Sequence, residues 1–321
     1  MTKVLIFLLL PEEVRREYQS RLKTGFPDLN IELARTYEEA CAQIVDADIL
    51  YTFGAMVRDD LYGHAKALKW VQALGTGLDN IIDAPSLSAK AIISSTRGIH
   101  GKPMSEAAFL FMLALSRDFP RALKAQRSHE WDRWPARLLH GKTVGILGVG
   151  LIAQDLAPRC KAFGMTVVGI SRTPREMPGF DRFRHRDQLA EAVGDLDFLI
   201  LLVPYENATR NIVDAHIFEA MKPSAYLINI ARGGVVDEAA LMEALQTGQI
   251  AGAAIDTFVQ EPLPGDHRLW DAPNILITPH NAALNETYID DALPQFEHNL
   301  RHFLAGDIQS MKNVDRLPGK Y

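Results

Sequence analysis

Short runs of apolar, mostly branched residues recur along the chain with almost no polar alternation inside them. They lie at Val4–Leu10, Ile49–Thr52, Trp70–Ala73, Ile92–Ser94, Thr143–Leu147, Thr166–Ile170, Phe198–Val203, Tyr226–Ile230, Ala251–Ile255 and Ile275–Thr278. Between them stand stretches whose apolar residues keep helical spacing, such as Val14–Leu22, Ala153–Phe163, Glu238–Gln246 and Pro294–Phe303. Strands without polar alternation belong to parallel sheets covered by helices on both faces, so the pattern predicts an α/β chain of doubly wound parallel sheets. The alternation restarts after Ser94–Lys102, a glycine-containing, basic stretch with little periodicity, which predicts a hinge between two domains. The helix expected after Pro103, Glu106–Arg117, is apolar on nearly every side and suits an element buried between them. One domain is expected at 103–284. The other spans 1–102 and takes back the helix and tail at 285–321, a segment too small to fold alone.

Composition narrows the class. A chain of 321 residues, 47% hydrophobic and 23% charged, is an ordinary globular protein of about two domains. Its net charge of -6 gives no long-range attraction for nucleic acid or anionic membranes. The apolar opening is followed at once by Pro11, Glu12 and Glu13, with no small-residue cleavage site, so it reads as a buried strand rather than a signal peptide. The run Ala107–Leu115 falls far short of the roughly 20 residues that span a bilayer. A cytoplasmic protein is expected. Cys41 and Cys160 have neither CxxC nor metal-ligand spacing and read as small buried side chains in a reducing compartment. His298 and His302 lie four apart, but no Glu follows the first as a metalloprotease helix requires, so a solvated face and no metal are expected.

The first chemistry-bearing pattern is the turn after Leu147. Gly148, Val149, Gly150, Leu151, Ile152 and Ala153 lead from an expected strand into an expected helix, the context of a dinucleotide-binding Rossmann turn. Gly148 allows the tight turn, Gly150 lets the backbone approach a pyrophosphate, and Ala153 still permits close helix packing. The helix N-terminus then offers N–H groups to the phosphates. The next strand ends where NAD-specific sites place an acid for the ribose 2′-hydroxyl; here stand Ser171, Arg172 and Thr173, with Arg175 close behind. A guanidinium and two hydroxyls suit a 2′-phosphate, which predicts a preference for NADP(H), with NAD(H) possible. Stacking of Arg172 on the adenine of either cofactor is the alternative. Arg182, Arg184 and Arg186 form a short basic run, read as a solvated loop or as a further contact to the 2′-phosphate.

Three later strands lead to residues of catalytic type: Arg232, then Asp256 and Glu261, then His280. Ligands of open α/β sheets bind beyond the carboxyl ends of strands, so these residues should face one crevice. A planar fork of donors at Arg232 can grip a carboxylate and polarise a keto oxygen. An imidazole at His280 can deliver and retrieve a proton near neutrality, and a carboxylate at Glu261 on its other nitrogen would orient it. Taken singly, the bland readings are a surface cap, a core histidine and a turn.

The ordered motifs Leu74–Asn80, Gly148–Ala153, Asn229–Glu238, Asp256–Pro262 and Thr278–His280 together resemble the D-isomer-specific 2-hydroxyacid dehydrogenases over nearly the whole chain. The resemblance implies a Rossmann cofactor domain inserted into a flavodoxin-like substrate domain. It implies hydride transfer between the nicotinamide and a small 2-keto or 2-hydroxy acid, with Arg232, Glu261 and His280 as the triad. It places Asp256 by the nicotinamide, and gives the substrate Gly75, Thr76 and Gly77 together with Arg232 and His280. It adds Val203, Pro204, Thr209, Ile230 and Ala231 to the cofactor contacts. Trp131 and Trp134 fall in the segment that forms a dimerisation arm in similar enzymes, so a homodimer is implied, with Trp134 reaching a neighbouring site or packing within its own subunit.

Departures from the commonest pattern are Ala153 for the third glycine, Asn281 after the histidine, and Met104-Ser105-Glu106 where Val-Ala-Glu is common. Glu261 in place of an amide argues against a formate dehydrogenase, and the regulatory domain of some phosphoglycerate dehydrogenases is not expected after the returning helix. The basic ribose turn resembles that of glyoxylate and hydroxypyruvate reductases, which makes glyoxylate and hydroxypyruvate the expected substrates. A dinucleotide-sensing regulator of the same fold, akin to the corepressors among similar proteins, is the rival reading.

Overall fold

The structure, a computed structural model, describes residues 1–8, 10–173 and 175–317. Leu9, within the expected first strand, Pro174 and the end of the expected tail, 318–321, lie outside the described residues. The first part of the chain runs β1 (Lys3–Phe7), α1 (Glu12–Gly25), β2 (Asn30–Ala34), α2 (Tyr37–Gln43), β3 (Ile49–Thr52), α3 (Asp59–His64), β4 (Trp70–Ala73) and β5 (Ile92–Ser95). Then come α4 (Gly101–Ser116), α5 (Phe119–Arg127), β6 (Thr143–Leu147), α6 (Leu151–Ala162), β7 (Thr166–Ser171) and β8 (Arg182–His185). They are followed by α7 (Leu189–Val193), β9 (Phe198–Leu201), α8 (Ala215–Ala220), β10 (Tyr226–Asn229), α9 (Glu238–Gln246), β11 (Gly252–Ile255) and β12 (Ile275–Ile277). The chain closes with α10 (Tyr288–Leu304) and β13 (Val314–Arg316).

Two compact units result, one of Met1–Ile99 with Asn285–Tyr321 and one of His100–Leu284. The first unit carries a sheet of order β13-β5-β4-β3-β1-β2, parallel except for β13, which runs antiparallel to β5. One face is covered by α1 and α10, the other by α2 and α3. Phe296 of α10 stacks on Tyr51 with ring centres 4.2 Å apart. Beside it Asn299 donates to Gln72 Oε1 and to the Lys312 carbonyl, and Gln72 Oε1 also accepts from Ser94. This buried polar chain, with every contact satisfied, ties the returning helix to strands β4 and β5. The edge strands β2 and β13 escape the hydrophobic pattern because polar residues interrupt them, as Glu32 and Asp315 do.

The second unit carries a parallel sheet of order β12-β11-β10-β9-β6-β7-β8. Helices α4 and α6 cover one face, and α7, α8 and α9 the other. The run at Arg182–His185, read as a solvated loop, is the edge strand β8 instead. Its residues alternate between exposed and half-buried, so pairing with β7 holds it without the apolar content that marks a central strand. Helix α4 begins at Gly101, ahead of the expected Glu106, because Pro103 sits in the first turn, where a missing N–H leaves no bond unmade. Its expected burial on nearly every side is corrected too. Met104, Ala108, Phe111 and Met112 pack inward, whereas Leu110 is 60% and Leu113 38% exposed.

Candidate active site

Residues 230–235, 256–262 and 278–282 form three loops that leave the carboxyl ends of β10, β11 and β12, neighbours in the sheet. The first two are pressed together at Gly233, where a Cβ would lie 1.9 Å from the Phe258 carbonyl carbon. The Phe258 N–H donates to Glu261 Oε1 over 2.9 Å, and the Val259 N–H donates to Glu238 Oε1 at the start of α9 over the same distance. Glu261 is thereby aimed, and its Oε2 lies 2.7 Å from His280 Nδ1. Burial raises the Glu261 carboxyl, but the bond and charge of His280, the Phe258 N–H and the Arg232 guanidinium outweigh it and leave the group below its ordinary value.

His280 adopts the left-handed region, with φ of 52°, which a non-glycine residue holds only when its surroundings dictate it. Asp256 supplies the restraint. Its carbonyl accepts the His280 N–H over 2.8 Å, its Oδ1 accepts from Thr278 Oγ1 and the Asn281 N–H, and its Oδ2 accepts from the Ala282 N–H. Asp256 is buried, and both of its carboxylate oxygens hold the loop that presents the imidazole. Arg232 is half-buried, and its Nη1 donates to the Ala231 carbonyl over 2.7 Å. The Asn229 side chain bridges this turn, accepting from the Ala231 N–H and donating to the Arg232 carbonyl.

Two strands from β10 in the same sheet order, β6 enters α6 through Gly148 and Gly150. Gly148 has φ of 105° and packs so tightly that a Cβ would lie 2.6 Å from the Leu202 carbonyl carbon. Only glycine suits both demands. A Cβ on Gly150 would meet no protein atom within 4 Å, so the space beside the N-terminus of α6 is open. Leu151 is exposed and Ile152 half-buried at the same helix start, while Ala153 is fully buried against the core. The Ser171 Oγ, at the end of β7, is buried without a hydrogen-bond partner, and Arg172 and Thr173 beyond it are exposed. An open glycine cradle, a free helix N-terminus and an orphaned hydroxyl fit a phosphorylated dinucleotide. Val203, Ile230 and Ala231 are buried and Pro204 is exposed along the same edge. Thr209, expected as a cofactor contact, is fully buried, and its hydroxyl donates to the Pro204 carbonyl and accepts the Glu206 N–H, so it shapes the 204–209 turn from inside.

Comparison with known proteins gives a family for both parts of the chain. Residues 109–282 match the D-isomer specific 2-hydroxyacid dehydrogenase NAD binding domain, and residues 4–124 match the catalytic domain of the same family. The chain belongs to that family. Among its relatives, the glyoxylate reductase of Pyrococcus furiosus is 31% identical over 95% of this chain and 93% of its own length. The D-3-phosphoglycerate dehydrogenase of Methanocaldococcus jannaschii is 34% identical over 89% of this chain, and this chain spans 56% of its length. Among solved structures, an NADPH-dependent glyoxylate/hydroxypyruvate reductase from Sinorhizobium meliloti in complex with NADP and sulfate superposes with a TM-score of 0.84, at 28% identity and 98% coverage of both chains.

The remaining residues singled out from the family resemblance belong to other segments of the chain. Gly75, Thr76 and Gly77 belong to the first unit, in the turn after β4, where Thr76 donates to the Thr96 carbonyl and the Gly75 carbonyl accepts the Thr96 N–H. Trp134 donates to the Arg117 carbonyl and its ring is covered by Arg121, while Trp131 is 93% exposed. Sequence reasoning missed His100. It precedes α4, is 6% exposed, and is pushed down to about 4 by burial and by the Arg232 charge. A histidine in a basic, aperiodic stretch carries no local sign of that environment.

Proposed function

We propose that the chain reduces small 2-keto acids with NADPH, with glyoxylate and hydroxypyruvate as its first substrates. The observation that carries this reading is the His280–Glu261 pair at 2.7 Å with the Arg232 charge beside it, on the sheet edge that also bears the open Gly148–Gly150 turn. The cofactor would be held by Gly150, the N–H groups of Leu151 and Ile152, and Ser171, Arg172 and Thr173. When bound, it supplies the hydride. Arg232 binds the substrate carboxylate and polarises the keto oxygen with charge-assisted bonds. His280 is held at Nδ1 by Glu261, which leaves Nε2 to give its proton to the forming alkoxide and to take it back in the reverse direction. Asp256 keeps that ring in place through the loop backbone. The relatives named as glyoxylate reductases support the substrate class, and the apolar surface of α4 and α5 supports a homodimer.

The test is consumption of NADPH with glyoxylate, hydroxypyruvate, pyruvate, phenylpyruvate and 3-phosphohydroxypyruvate. Turnover with glyoxylate or hydroxypyruvate is expected, and His280→Asn should lower it by roughly 10²- to 10⁴-fold while NADPH still binds. Preference for the phosphorylated acid would reassign the substrate. Tight NADPH binding without any consumption would instead identify a dinucleotide sensor.

A further inference from the structure

The carboxyl ends of β7 and β8 lie side by side, with Ile170 in register with Arg184 and Ser171 with His185. Arg172 and Arg186 therefore leave the sheet about one strand spacing, ~4.8 Å, apart. They behave differently. Arg172 is exposed, whereas the Arg186 side chain is drawn in to 13% exposure, with its Nη1 3.6 Å from Glu206 Oε1. Glu206 belongs to the turn after β9, and the sheet order β9-β6-β7-β8 puts two strands between that turn and β8. The two side chains thus meet over the carboxyl ends of β7 and β6. Those two carboxyl ends bear the Ser171 hydroxyl, buried without a hydrogen-bond partner at the end of β7, and the Gly148–Gly150 turn at the end of β6. The Glu206 side chain is 46% exposed, and a half-exposed pair at this distance recovers little of the cost of withdrawing a guanidinium from water. An arginine so largely covered and so weakly compensated calls for a second anion.

We propose that Arg186 is a second guanidinium of an adenosine 2′-phosphate site, and that Glu206 holds it across the cradle in place of that phosphate. The inference rests on the NADP(H) reading above and deepens it. Ser171 and Arg172 approach the phosphate from β7, and Arg186 closes it from β8, through charge-assisted bonds that a 2′-hydroxyl cannot match. Glu206 has the opposite effect: its carboxylate competes with the phosphate for the same guanidinium.

The experiment titrates the full chain with adenosine 2′,5′-bisphosphate and with 5′-AMP by calorimetry, and compares Arg172→Ala, Arg186→Ala and Glu206→Gln, each checked for an unchanged melting curve. The unaltered chain should bind the bisphosphate at least tenfold more tightly than AMP. Arg186→Ala should lower that ratio about tenfold with AMP binding unchanged, and Glu206→Gln should keep or raise it. If the unaltered chain makes no distinction, the NADP(H) reading fails and this inference with it. If Arg172→Ala removes the distinction while Arg186→Ala keeps it, the reading stands and Arg186 is excluded. If Glu206→Gln weakens the bisphosphate as much as Arg186→Ala does, the pair only ties two loops together, which also overturns the proposal.

Discussion

Burial and the adjacent Arg232 guanidinium depress the His100 imidazole from its ordinary 6.5 to about 4, so the folded chain keeps it neutral where the unfolded chain protonates it. The sign of the linkage follows: His100 is neutral in both states above pH 6.5, and stability falls as the pH drops from about 6.5 toward 4. The shift corresponds to a loss on the order of 3 kcal/mol across that window. His100→Gln should flatten the dependence of Tm on pH between about 6.5 and 4, and a profile as steep as that of the parent chain would remove His100 as its cause. Glu261 acts in a different window. Its depressed carboxyl contributes stability that is present above the ordinary 4.5 and lost as the pH falls through the folded value, so acid unfolding below 4.5 should persist in the variant. The types of Arg232, Glu261 and His280 are legible in the chain. That they share one end of a parallel sheet is legible too, but their pairing is not, because arginine and imidazole stand 48 positions apart and only the adjacency of β10, β11 and β12 sets their loops against one another.

At the scale of elements, the loops owe their placement to glycines used in two ways. At Gly233 the backbone must approach Phe258 closely, whereas at Gly150 the missing side chain leaves open space. Gly233→Ala should therefore destabilise the fold by about 2–3 kcal/mol, a fall in Tm of roughly 5–10 °C, and should reduce turnover by displacing Glu261. Gly150→Ala should leave the melting temperature nearly unchanged and weaken dinucleotide binding. Thermal melts and cofactor titrations on both variants check the contrast, and equal losses of stability would contradict it. The same scale shows where reading the pattern stops. Central strands such as β9 and β10 announce themselves as unbroken apolar runs, while β2, β8 and β13 lie at or near sheet edges, carry charges, and exist because a neighbour pairs with them.

For the whole molecule, the apolar residues left outside are informative. Leu110 and Leu113 on α4, Phe119 and Leu123 on α5, and Trp131 and Leu138 after it are all exposed, a set larger than scattered surface residues require. The proposed homodimer would cover them. Leu110→Asp should shift the mass measured by light scattering from dimer to monomer with the melting curve of the monomer preserved. A parent chain that is monomeric at micromolar concentration would reject this assignment. Among the described residues, no helix is long and apolar enough to cross a membrane, and no group of three His, Cys, Asp or Glu side chains is placed to hold a metal ion.

The sequence by itself determined the α/β class, the central strands, the glycine turn that opens α6 and the residue types of the site. Each of these is local: periodicity, backbone freedom and side-chain chemistry act within a few residues of one another. Tertiary structure decided the edge strands, the neutral His100, the employment of Asp256 as an anchor and the reach of Arg186 to Glu206. Those depend on burial, pairing and charge between segments far apart in the chain, quantities that no window of sequence contains.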